Sequence, residues 1–149
     1  METFYKDKEK GMTSYRLTKE TKTLPNGTVV HRIELTRDCK WGKAGTLGGW
    51  IESTKNLKGD AWVADEAVVW GKARVYGKAR VWGDAQVYGD AQMGGDAQVW
   101  GDAQVYGDAQ VGGDAQVWGD ARVYGKAWVW GNARVYDNAR VNGNGWVFG

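Results

Sequence analysis

The chain has one cysteine, one histidine and one proline among its 149 residues. A lone Cys39 rules out an internal disulfide and removes any sign of an oxidising compartment, so a reducing cytoplasm is the expected setting. No apolar run approaches the length of a signal core or a membrane span, and residues 1–10 are rich in charge, so neither a membrane nor standard secretion is expected. A formal net charge of only +2 gives no overall polybasic signal, which argues against nucleic acid as a partner. The charge is nevertheless segregated: residues 81–121 hold seven aspartates and neither lysine nor arginine, between two basic ends. That belt is a weak imitation of a duplex phosphate row, so DNA mimicry is not expected either.

What is abundant is glycine, at 23, and tryptophan, at ten, and the excess belongs to one repeat. From Gly59 to Phe148 a six-residue unit recurs fifteen times without insertion, as in Gly83-Asp84-Ala85-Gln86-Val87-Tyr88. A hexad supplies one short strand and one turn, and a strict hexapeptide period is the signature of a parallel β-helix. Period two within each strand points Ala and Val inward and the residue between them outward. Small inward residues, with Met93 the one change of size, make a narrow interior that suits a triangular coil of three hexads.

The residue after Val supports that count, running Trp82-Tyr88-Gly94, Trp100-Tyr106-Gly112, Trp118-Tyr124-Trp130, a period of eighteen. Five such coils at the ~4.8 Å strand spacing make a prism about 24 Å long. One corner then stacks Ala64, Trp82, Trp100, Trp118 and Tyr136, and a second Trp70, Tyr88, Tyr106, Tyr124 and Asn142. The third reads Tyr76, Gly94, Gly112, Trp130 and Phe148, and its two glycines predict a notch. Gln86, Gln92, Gln98, Gln104, Gln110 and Gln116 predict outward ladders on the middle coils.

Upstream, residues 1–13 are polar and expected to fray. Residues 14–37 read as an antiparallel hairpin, two alternating segments around Leu24-Pro25-Asn26-Gly27, whose Asn and Gly tolerate the angles of a tight turn. Walking the inward register back from Val63 through Leu57 to Ile51 starts the helix near Leu47. The expected division is residues 1–46 as a polar segment and hairpin cap and 47–149 as the β-helix, the cap covering strand edges that would otherwise invite aggregation.

The segment His31 to Ile51 followed by hexads, above all Lys43-Ala-Gly-Thr-Leu-Gly-Gly-Trp50, resembles the bacterial and prophage hexapeptide-repeat proteins of the YdcK type. The resemblance implies an all-β fold, a left-handed parallel β-helix, against the usual crossover preference. It also implies a transferase label, by analogy with trimeric hexapeptide acyltransferases that place a catalytic His between subunits. Under that alternative acyl-CoA is the cofactor and His31 the general base. His31 sits in the predicted hairpin among Val29, Val30, Ile33 and Leu35, and the hexads extrude no loop to shape a pocket.

Other chemistry is thin. Cys39 precedes Lys40 but has no placed base. Asp84, Asp90, Asp96, Asp102, Asp108, Asp114 and Asp120 share one repeat position, yet Lys and Asn replace them elsewhere, so they read as turn residues rather than metal ligands. No phosphate loop or zinc pattern is present, and no cofactor is expected. Trp128 and Trp146 occupy outward positions that elsewhere hold Gln or Arg, beside Trp130 and Phe148, and Arg134 and Arg140 are expected to flank the resulting patch, so these six residues are the expected interface. Exposed aromatic patches mark interaction surfaces, and Trp and Arg are enriched at binding hot spots. The chain stops at Gly149 without a polar cap, which invites association.

The leading expectation is a non-catalytic scaffold that forms a homo-oligomer and binds a protein partner. One version is a phage protein that inhibits a host or defence complex. Carbohydrate binding along the aromatic corners is a further alternative.

Overall fold

The computed structural model describes Phe4, Tyr5 and residues 12–149. Strand β1 (Phe4–Tyr5) pairs antiparallel with β2 (Tyr15–Thr23), which pairs with β3 (Val29–Leu35), which in turn pairs with β4 (Leu47–Ile51). From β4 onward pairing is parallel, with Trp50 opposite Val68 and Gln86 opposite Gln104, a step of eighteen residues. Fifteen short strands, β5 (Trp62–Val63) to β19 (Trp146–Phe148), wind into three sheets. The expected architecture, a triangular parallel β-helix with a hairpin at its amino-terminal end, is the one observed.

Each hexad position has a physical reason. The inward Ala and Val side chains from Ala61 to Val135 are at most 3% exposed. The first hexad residue turns the corner in the left-handed region, with φ of +67° at Gly83 and +63° at Gly95. A Cβ on Gly95 would lie 2.8 Å from the carbonyl oxygen of Gly113 in the next coil, so glycine is needed for close approach as well as for φ. Asp65 and Asp137 hold the same conformation, at +57° and +55°. The aspartates after each glycine do not carry the unusual angle. Their N–H groups instead bond the next coil, Asp84 N–H donating to Gly101 O at 2.9 Å.

The hairpin closes the core. Tyr15, Ile33 and Leu35 are buried over the first coil, and the Tyr15 hydroxyl donates to Leu57 O at 2.7 Å. Asn56, in the short 3-10 turn Thr54–Asn56, accepts from Glu52 and Ser53 N–H and donates to Gly71 and Ala73 carbonyls, standing in for a strand where the first coil is irregular. Outside the solenoid, Lys22 and Arg32 lie 4.6 and 4.4 Å from the Trp50 ring, and Arg32 pairs with Glu66 at 2.7 Å.

Fraying of residues 1–13 is corrected where it can be seen. Phe4–Tyr5 is a strand, and Thr13 is buried with its N–H donating to Gly59 O. The rest of that expectation lies outside the described residues.

Candidate interaction surface

One five-stranded sheet consists of β7 (Arg74–Val75), β10 (Gln92–Met93), β13 (Gln110–Val111), β16 (Trp128–Trp130) and β19. Its outward residues run Arg74, Gln92, Gln110, Trp128, Trp146, so the face changes from cationic through amide to aromatic over four strand spacings. β16 and β19 are three residues long because Trp130 and Phe148 also stay in the ladder, paired opposite each other.

The four aromatics therefore lie together. Trp128 stacks on Trp146 with centroids 5.6 Å apart, Trp130 tilts against Trp128 at 6.3 Å, and Phe148 meets Trp146 edge-on at 5.9 Å. Trp146 is 65% exposed and Phe148 57%, while Trp128 and Trp130 are 39% and 37% exposed. Rings of this size left in water are the unsatisfied part of the molecule.

Not every predicted residue joins them. Arg134 is on β17 (Arg134–Val135), in the second five-stranded sheet, and Arg140 on β18 (Arg140–Val141), in the nine-stranded sheet. Residues six apart fall on different faces of an eighteen-residue coil, so these arginines flank the aromatics in sequence and not in space.

The open notch expected at Gly94 and Gly112 is absent, because both glycines are buried. A Cβ on Gly94 would lie 2.3 Å from the Tyr76 ring, and one on Gly112 2.4 Å from the Trp130 ring. Each glycine is a seat for an aromatic from the neighbouring coil, with Tyr76 lying over Gly94 and Trp130 over Gly112.

Sequence reasoning missed the other end of this face. Arg74, Lys55, Lys58, Tyr76 and Gln92 line a hollow of about 570 Å³. Sorting the charges by the eighteen-residue period, rather than by chain segment, would have found it.

The corner columns differ from this surface. Trp82, Trp100, Trp118 and Tyr136 stack at 4.7, 5.1 and 5.0 Å, within 14° of coplanar, and Trp70, Tyr88, Tyr106 and Tyr124 at 4.3, 5.0 and 5.0 Å. Stacking covers the ring faces that a sugar would need, so the columns are poor carbohydrate platforms. Burial pushes the Tyr88 hydroxyl above the usual tyrosine range, and that hydroxyl donates to Gln104 Oε1 at 3.2 Å.

His31 is half-buried on β3, between Thr21 of β2 and Ile51 of β4, two residues beyond the start of the strand that follows the hairpin turn. Cys39 is half-buried in the cap, its Sγ accepting from Trp41 N–H at 3.4 Å. Among the described residues no three His, Cys, Asp or Glu side chains gather as metal ligands, and no helix is long and apolar enough to cross a membrane.

Fold and surface together define a β-solenoid repeat protein whose two most exposed rings, Trp146 and Phe148, lie on one strand. In agreement, the YdcK beta solenoid repeat model matches residues 115–131 and again 133–149, one match per coil, with Trp128 and Trp146 at equivalent repeat positions. No curated protein matches the chain.

Proposed function

We propose that this protein is a non-catalytic binding solenoid that self-associates and engages protein through the aromatic end of one face. The observation that carries this reading is the contiguous exposed group Trp128, Trp130, Trp146 and Phe148, presented by two adjacent strands of a rigid sheet. A partner gains aromatic burial there without ordering the site first, because the coil backbone already fixes it. The setting is the bacterial cytoplasm. The version in which a phage-encoded chain blocks a host or defence complex draws on the resemblance to prophage proteins.

Sedimentation equilibrium of the full chain against the Trp128→Gln/Trp146→Gln double variant tests the reading. The wild type is expected to show concentration-dependent mass and the variant the monomer mass, with unchanged far-UV circular dichroism. A variant that self-associates as well as the wild type would remove the surface from the account.

A further inference from the structure

Charges at the two borders of the aromatic sheet repeat coil by coil. The coil of Arg74 also carries Lys72 and Lys78, and the next two carry Asp90 with Asp96 and Asp108 with Asp114. The coil of Trp128 carries Lys126 and Asn132, and the coil of Trp146 carries Asn144. All these border residues are exposed. The face is thus cationic, twice acidic, weakly cationic, then neutral and aromatic.

Two copies whose rods lie side by side, aligned with each other, can meet face to face about a two-fold axis in two ways. An axis along the solenoid keeps the rods parallel and sets every coil against its own copy across opposite borders. Lys72 then faces Lys78, Asp90 faces Asp96 and Asp108 faces Asp114, so like charges meet on three coils. An axis along the strands turns the rods antiparallel, keeps each border against itself and reverses the coil order.

With Gln110 of the central strand on that axis, Arg74 faces Trp146, Tyr76 faces Phe148, Gln92 faces Trp128 and Asp90 faces Lys126. Cations now lie over aromatic rings, a favourable pairing, and the acid and base borders complement each other. Only the central coil meets its own aspartates, Asp108 and Asp114. They sit at the rim, where water and salt screen them.

Resting on the self-association proposed above, we infer that the partner on this face is a second copy of the chain, packed antiparallel. Five strands make a face roughly 20 Å tall, which places the contact near the small end of specific interfaces, about 1,000 Å² in total. A reversible dimer is therefore expected.

The test is a charge swap read by sedimentation equilibrium of the full chain. Asp90→Lys alone and Lys126→Asp alone each set like charges together twice per dimer and are expected to weaken it about fivefold to tenfold. The double variant restores the pair and is expected to return within about twofold of wild type. Lys72, Asp108 and Asn144 already occupy the same repeat position, so neither substitution threatens the turn.

In the parallel arrangement Asp90→Lys removes a repulsion with Asp96, so tighter association would overturn the antiparallel geometry. Single variants without effect, or a double variant that fails to recover, would do the same. If the Trp128→Gln/Trp146→Gln variant is monomeric while the swap has no effect, the aromatic surface stands and the antiparallel copy falls. A wild-type chain that is monomeric at every concentration sinks both.

Discussion

Trp100 sits between Trp82 and Trp118 with centroids 4.7 and 5.1 Å away, so both faces of its indole are covered from within the chain. Trp146 is an outward tryptophan of the same kind of coil, yet it stacks on Trp128 alone and is 65% exposed. The difference is one of neighbours, since Trp100 lies mid-column and Trp146 lies on the terminal strand of its sheet. A ring at the corner meets rings eighteen residues before and after it, and the column completes itself. On the sheet face Trp128 has Gln110 on one side and Trp146 on the other, and Trp146 has Trp128 alone, so Trp146 keeps an open ring face. Aromatic content alone does not mark a binding surface in a solenoid.

The largest effect that would break this contrast is on stability. Trp100→Ala removes two ring contacts and half-buried area from mid-column and is expected to cost about 2–3 kcal/mol in urea denaturation, with self-association intact wherever the chain is folded. If Trp100→Ala instead abolished association at no cost in stability, the columns would be the binding surface.

An intermediate effect is expected where the two regions meet. In Gly112→Ala the new methyl collides with the Trp130 ring at 2.4 Å, and the ring, being a side chain, can lift. The cost should be about 1 kcal/mol, as for modest overpacking, but self-association should weaken several-fold because Trp130 leaves its seat. Denaturation and sedimentation on the same variant separate the two outcomes.

The smallest effect isolates one hydroxyl. Tyr88→Phe keeps the stacked ring and deletes the bond to Gln104, for about 0.5 kcal/mol at neutral pH. Because burial raises the Tyr88 pKa in the folded chain, its contribution is present below the usual tyrosine range and is lost as pH rises through it. The variant should therefore lose less stability than wild type on going to alkaline pH. An equal loss in both would show that the Tyr88 hydroxyl is not the group responsible.

The periodicity made the fold readable, since Ile51, Leu57 and Val63 at six-residue spacing are all buried and β4 pairs in parallel with the coil after it. The aromatic group was readable too, as departures from Gln and Arg at Trp128 and Trp146. The notch was not. A missing Cβ opens space only if no neighbour reaches into it, and the rotamers of Tyr76 and Trp130 are set by the coil beside each glycine. Arg134 and Arg140 are near the aromatics along the chain, but a six-residue step turns the coil by a third, which places them on the other two sheets. Asp84 and its equivalents read as turn residues from the sequence, but the positive φ of each turn sits on Gly83 and its equivalents, and Asp84 donates to the next coil.

Each coil consumes eighteen residues and hands the next the same three corners, so the gene can gain or lose whole coils without disturbing their neighbours. Removing Gly83 to Trp100 would set Trp82 directly on Trp118 and leave every face in register. Removing one hexad, Gly107 to Gly112, would turn everything downstream by a third of a revolution and carry Trp128 onto the face of Gln104. Heritable change in rod length is therefore quantised by the coil, and a lineage can drift in length while each face keeps its identity.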